Sequence, residues 1–199
     1  MQAAVRDSDR QAVVSAFHYV EQIGDLDLRE KVVRTLVRAW RESPYERLED
    51  APNAVSGWGW NVTFVQHVNS TARAALSLGT QFKEEYDAKI DFDVLLAAAL
   101  LHDVDKLLIY ERQGDAVVES VLGKRLPHGV YGAHLALQEG VPVEVAHIIT
   151  THSPSSSACP KSVEGAIIQY ADMADLDAYM ISHGLPRRAR PIMIPPSGH

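Results

Sequence analysis

His102 and Asp103 stand side by side at the end of the most apolar run in the chain, residues 94–101. An imidazole and a carboxylate at that position are expected to be buried together, and a buried carboxylate without a strong partner is costly to desolvate. A divalent metal ion is such a partner. Neighbouring side chains on a helix point different ways, so both reach one ion only where the helix ends or distorts. The motif Leu101-His102-Asp103-Val104-Asp105-Lys106 sets them at such a point. Three further segments each offer a ligand type. His67 follows an aromatic, glycine-rich lead-in, His152 closes a segment opened by Pro142, and Asp172 lies in Tyr170-Ala171-Asp172-Met173-Ala174-Asp175. Taken singly, His67, Asp172 and Asp175 read better as surface residues; beside the His102–Asp103 pair they are harder to dismiss.

The elements that must position these groups read as helices nearly throughout, an all-α chain. Asp9 precedes an apolar stripe (Ala12, Val13, Ala16, Phe17, Val20, Ile23) that predicts one helix ending at Gly24. Asp25 or Asp27 starts a second, stopped near Pro44, and residues 43–60 read as irregular, a boundary between an N-terminal helical pair and the rest. A helix is predicted from Asn61 to Leu78 with Gly79 as its stop, and the next is capped by Asp91 or Asp93. Residues 107–110 and 116–120 are expected to form a small hairpin around residues 112–115. Further helices are predicted at 127–139, 142–152 and 162–182, with Gly140 ending the first, Pro142 opening the second and Ser162 capping the third.

The order His67, His102–Asp103, Asp172 resembles the H…HD…D signature of the HD superfamily, an all-helical group of mostly metal-dependent phosphohydrolases. The lead-in Ala97-Ala98-Ala99-Leu100-Leu101, the following Lys106 and the pair Ala171-Asp172 strengthen it. The resemblance covers about residues 60–182. It implies an HD-domain helical bundle over residues 58–183; residues 1–57 lie outside it and read as an N-terminal helical segment, and residues 184–199, rich in Pro and Arg without a period, read as an irregular tail. Two-metal branches of the superfamily carry two more histidines between the HD pair and the last Asp. Here His128, in Pro127-His128-Gly129-Val130-Tyr131-Gly132-Ala133, is similar to their H-G/S-x-x-G-A motif, and His152 follows an apolar helix. Both match the bacterial di-iron hydrolases that split symmetrical dinucleoside tetraphosphates. The same layout occurs in HD-type diiron oxygenases such as the myo-inositol oxygenase group. It also occurs in HD-GYP cyclic-dinucleotide phosphodiesterases, whose GYP motif is absent here.

On this resemblance His67, His102 and Asp172 serve one ion, His128 and His152 a second, and Asp103 bridges them. The alternative keeps a single metal, with His128 and His152 lining the pocket. Imidazole and carboxylate suit divalent Fe or Mn first, then Zn, Co or Ni, since no thiolate is present to select zinc. Lys106 falls on the ligand face one turn past Asp103, where its ammonium is expected to hold a phosphate. Asp103 and Lys106 are therefore the expected catalytic residues, and Lys106 also binds substrate. Asp105 departs from the Gly common in relatives; it could cap, hold a water or do nothing.

The function implied is a metal-dependent phosphohydrolase cleaving a phosphoester or phosphoanhydride of a nucleotide or small phosphorylated metabolite through a metal-activated water. The alternative is a mixed-valent diiron oxygenase acting on a small organic substrate with the same ligands. A degenerate binding module fits less well, because all six ligand positions are filled. The formal net charge is −7 and the one basic stretch is Arg187-Arg188-Ala189-Arg190, which disfavours a nucleic-acid polymer as partner. A small anionic substrate remains compatible, since bound cations invert the local field. The single Cys159 allows no intrachain disulfide and has no His or Cys close in sequence, so it is not expected to act as a nucleophile. The N-terminus has no apolar signal region, and the longest apolar run is far below the ~20 residues of a membrane span, so no membrane and a cytoplasmic location are expected. Residues 1–57 could serve a homodimer contact or close over the pocket. His18, His134, His147, His183 and His199 have no motif context, and Trp58 and Trp60 are expected to pack against the N-terminal helices rather than wall the site.

Overall fold

A helix apolar on every side is stable only when surrounded, and α4 (Phe92–Leu101) meets that condition: residues 95–101 are all buried. In the computed structural model, which describes residues 5–187, the other helices pack around it. These are α1 (Asp7–Ala16), α2 (Leu26–Glu42), α3 (Phe64–Tyr86), α5 (Lys106–Ile109), α6 (Val130–Gln138), α7 (Val143–Thr151) and α8 (Val163–Ser182). Helix α4 contacts α2, α3, α7 and α8 directly. One continuous apolar core runs from Val13 and Phe17 to Ile167, Ile168 and Ala171, so α1 and α2 share the core that α4 fills. A smaller cluster joins Ala54 and Trp60 of the loop after α2 to Met180 of α8. Among the described residues the regular secondary structure is helical apart from one hairpin and an isolated bridge, in line with an all-α chain, and no described helix is long and apolar enough to cross a membrane.

The caps follow the sequence. Asp25 accepts from the backbone N–H of Asp27 and Leu28, Asp91 from those of Asp93 and Val94, and Ser162 from that of Gly165. At α3, Thr63 and Gln66 form a reciprocal capping box, which starts the helix at Phe64 rather than Asn61. The buried face of α3 then repeats as Phe64, His67, Val68, Thr71, Ala72, Ala75 and Gly79.

Four expectations are corrected. The first helix does not reach Gly24. It ends at Ala16, whose carbonyl accepts from Asn69 Nδ2 at 2.8 Å while Asn69 Oδ1 accepts from the His18 N–H at 3.0 Å; a short 3-10 turn (Val20–Gln22) follows. An external side chain thus satisfies the open helix end. Gly79 does not stop α3. A Cβ there would lie 2.8 Å from Leu95 Cδ2, so the glycine serves close approach of α3 to α4. The hairpin is shifted: β1 (Tyr110–Gln113) pairs antiparallel with β2 (Ala116–Glu119) around Gly114 and Asp115, and residues 106–109 are helical. A short apolar run such as Leu107-Leu108-Ile109 satisfies either period, so its pattern alone could not decide. Pro142 is the N-cap of α7, one position earlier than expected. Of the predicted tail, residues 188–199, including Arg188, Arg190 and His199, lie outside the described residues; Arg187 pairs with Asp177.

Gly129 caps α6 at φ +85°, and a Cβ there would fall 2.3 Å from the Ile149 carbonyl oxygen of α7. Both the backbone conformation and the contact require glycine. Gly129→Ala is expected to lower stability by about 2–4 kcal/mol, read as a shift of the urea midpoint. A midpoint within experimental error of wild type would contradict this packing of α6 on α7.

Candidate metal centre

Helix α4 stops at Leu101, and residues 102–105 form a turn in which the Lys106 N–H returns to the Asp103 carbonyl at 2.9 Å. That turn lets two consecutive side chains face one point. His102 and Asp103 come from it, His67 from α3, Asp172 from α8, His128 from the residue before Gly129, and His152 from the end of α7. All six predicted ligands are brought together in two sets that share Asp103. His67, His102, Asp103 and Asp172 form one; Asp103, His128 and His152 form the other, with the ligand atoms of each set within 4.8 Å of one another.

Asp103 is 1% exposed and its two oxygens divide the site. Oδ2 lies 3.0 Å from His67 Nε2 and 3.3 Å from His102 Nε2, while Oδ1 lies 2.8 Å from His128 Nε2 and 3.5 Å from His152 Nε2. Asp172 Oδ1 is 3.1 Å from His67 Nε2. The far side of each ring explains this orientation. His102 Nδ1 donates to the Ala99 carbonyl at 2.8 Å and His152 Nδ1 to the Ile149 carbonyl at 3.0 Å. A carbonyl only accepts, so those Nδ1 atoms carry the protons and the Nε2 lone pairs face inward. His67 Nδ1 is 2.7 Å from Asp175 Oδ2, and Asp175 Oδ1 accepts from Ser70 Oγ at 2.5 Å. His128 Nδ1 sits 2.9 Å from Asp105 Oδ1, off the N–H direction, and Asp105 Oδ2 accepts from the Gly129 N–H at 2.6 Å.

The inner atoms crowd one another. Nε2 of His67 and His102 are 3.2 Å apart, and those of His128 and His152 are 3.3 Å apart. Asp103 Oδ2, buried and ringed by these groups, accepts no well-directed hydrogen bond. Inward lone pairs at that spacing repel unless a cation or a proton lies between them. The donor set and the orphaned oxygen therefore fit divalent ions of the borderline class, with nitrogen and oxygen ligands and outer partners that fix each ring.

The charges agree. Burial opposes protonation of His67, but its contacts with Asp103, Asp172 and Asp175 outweigh it and hold the imidazole up at about 10. Burial likewise opposes charge on His128, and the Asp105 and Asp103 carboxylates raise it to about 10. His152 is pushed down by burial, then by its histidine neighbours. Burial acts to raise Asp103, yet Lys106 and His102 hold it well below the usual carboxylate range; Asp172 is likewise lowered, by His67 against burial. Lys106 is buried, and Asp103 keeps it charged against desolvation, with Nζ 2.6 Å from Asp103 Oδ2.

Two orienting carboxylates, Asp105 and Asp175, were not assigned roles by the sequence reading. Their offsets from the ligands, two after Asp103 and three after Asp172, were the available signal. Trp60 corrects the expectation that it only packs: its ring meets His67 edge-on at 4.8 Å and lies 5.3 Å from Lys106 Nζ, forming a wall of the site. Of the histidines without motif context, His18, His134, His147 and His183 fall outside both ligand sets.

The HD domain family model matches residues 64–177, more than half of the chain. Over 165 residues the chain is 29% identical to the dihydroneopterin 2′,3′-cyclic phosphate phosphodiesterase of Methanocaldococcus jannaschii, covering 78% of this chain and 65% of that protein. Over 166 residues it is 26% identical to ribonuclease Y of Salinispora arenicola, covering 78% of this chain and 24% of that one. The chain thus spans less than two thirds of the first relative and about a quarter of the second. No solved structure matches it significantly.

An unfolded imidazole titrates near 6.5, whereas His67 and His128 in the ion-free fold titrate near 10. Their protonation therefore stabilises the ion-free protein fully below about 6.5, and that contribution is lost as pH rises through about 10. An ion binding at Nε2 must displace those protons. Calorimetric titration with Mn in buffers of different ionisation enthalpy is expected to show proton release, and the gain in Tm on loading is expected to grow as pH rises above 6.5. Loading that releases no proton and gives a pH-independent gain would place the ion elsewhere.

Proposed function

This chain belongs to the HD domain family, and on that premise we propose that it is a metal-dependent phosphohydrolase, cleaving a phosphoester or phosphoanhydride of a nucleotide or small phosphorylated metabolite. The observation that carries this reading is the shared Asp103 carboxylate: each oxygen faces a separate ligand set, and a buried lysine ammonium lies on the same group. Two ions, with iron or manganese favoured, match an arrangement in which one carboxylate has two histidines at each oxygen. The fixed positive charge of Lys106 beside the Trp60 ring suits an anionic phosphoryl group.

When bound there, divalent ions supply an acidified water and polarise a phosphoryl oxygen. The protein's own part is positioning. Asp175 holds His67 and the Ala99 and Ile149 carbonyls hold His102 and His152, with the Asp105 carboxylate beside His128, so the inner nitrogens of the three held rings need no reorganisation as charge develops. Lys106 has three donors, and its contacts with Asp103 and Asn53 leave one for a phosphoryl oxygen. The first relative's name, a phosphodiesterase of a small cyclic phosphate, supports a small phosphorylated substrate. The ribonuclease name would suggest a polymer, but a chain of net charge −7 that spans 24% of that protein weighs toward the small molecule.

A panel of phosphomonoesters, cyclic phosphates and nucleotides, assayed with Mn, Fe, Co and Ni in turn, is expected to yield hydrolysis that chelation abolishes. Absence of product with every metal, together with oxygen uptake by the iron-loaded protein, would contradict the hydrolase reading. Asp103→Ala is expected to lose metal and turnover together. Lys106→Ala is expected to keep its metal and lose roughly 100-fold in turnover. Retained metal in Asp103→Ala would mean the centre is misplaced.

A further inference from the structure

Two buried side chains beside the metal centre hold hydrogen-bond donors with nothing to donate to. Asn53 is 1% exposed and its Nδ2 has no acceptor; Trp60 is 6% exposed and its Nε1 has none. A buried donor left unpaired is a cost that folded proteins avoid unless something else supplies the acceptor. Both belong to the loop after α2, outside residues 64–177 that match the family.

Their placement joins them to Lys106. Asn53 Oδ1 accepts from Lys106 Nζ at 3.4 Å, and the Trp60 ring centroid is 5.3 Å from the same nitrogen. An ammonium has only donors, so the amide oxygen is the atom that faces it, which leaves Nδ2 of the same amide without that partner. The loop is not free to swing. The Asn53 N–H donates to the Val62 carbonyl at 3.2 Å and the Phe64 N–H to the Ala51 carbonyl at 2.8 Å. On the hairpin side, the Ser56 N–H donates to the Val117 carbonyl at 2.9 Å and the Val117 N–H to Ser56 Oγ at 2.8 Å.

We infer that Asn53 Nδ2, Trp60 Nε1 and the Lys106 ammonium together form an oxyanion-binding cradle, supplied largely by the loop after α2, for the non-bridging oxygens of the substrate's phosphate. The inference rests on the phosphohydrolase reading and adds two substrate-binding residues to it. Donors held in place before the ligand arrives lose little entropy on binding it. A phosphate oxygen is the acceptor both groups lack, and the charge of Lys106 and of bound ions selects an anion over a neutral carbonyl.

The test is calorimetric binding of inorganic phosphate to metal-loaded protein, which requires no turnover. Trp60→Phe removes only the N–H, and Asn53→Asp keeps the shape and the contact with Lys106 while replacing the donor with a negative acceptor. Phosphate affinity is expected to fall roughly tenfold in Trp60→Phe, with metal content and Tm near wild type, and further in Asn53→Asp, where the added charge also repels the anion. Asn53→Ser, an uncharged hydroxyl donor, is expected to bind phosphate more tightly than the near-isosteric Asn53→Ala, and equal affinities in the two would overturn donation from this position. Wild-type affinity in both Trp60→Phe and Asn53→Asp overturns the cradle while leaving the hydrolase reading intact, and so does failure of the wild type to bind phosphate while it still hydrolyses phosphoesters. A wild type that hydrolyses no phosphoester contradicts the underlying reading instead, and the cradle falls with it.

Discussion

The structure turns on one buried carboxylate. Asp103 is almost fully excluded from solvent, and four inward imidazole nitrogens and a lysine ammonium converge on its two oxygens. A carboxylate in that position is tolerable only with strong compensation; Lys106 supplies one positive charge, and neutral Nε2 atoms add none. Protons can fill the gap in the ion-free protein, as the raised His67 and His128 indicate. Metal ions would compensate the carboxylate without protonating the histidines, and the directed outer contacts of His67, His102 and His152 suit that state.

Much of the fold is the means of assembling this point. The all-apolar α4 passes through the core and ends where its last turn opens, so that its terminal groups are delivered into the interior rather than to the surface. Helices α6 and α7 approach closely enough at Gly129 to bring His128 onto His152, and Gly132 lets α6 rest on the turn at Val104. The ring orientations of His102 and His152 are fixed by carbonyls three residues upstream, at the helix ends where such acceptors are open. Helix termination is therefore part of the chemistry as well as of the architecture.

The ligand positions could be read from the chain because their logic is local or carried by motif: a polar pair closing an apolar helix, an H-G-x-x-G-A segment, an Asp among apolar neighbours. What escaped depended on contacts across the fold. Asp105 looked like a departure without a role until His128, distant in sequence, lay beside it. Asp175 could not be told from a surface acid until Ser70 and His67 of α3 met it. Trp60 was read as packing because composition cannot say which neighbour a ring will face. The end of α1 was misread for the same reason, since Asn69 of α3 supplies its cap. Gly79 carried a helix-stop signal that tertiary packing overrode, and Leu107-Leu108-Ile109 fitted two periods equally well.

The most direct measurement of the central claim is anomalous X-ray scattering from crystals of the manganese- or iron-loaded protein. Two peaks ~3.5–4 Å apart are expected, one near His67, His102 and Asp172 and the other near His128 and His152, on either side of Asp103. Ions bound elsewhere, or none among these six side chains at saturating metal, would contradict that claim.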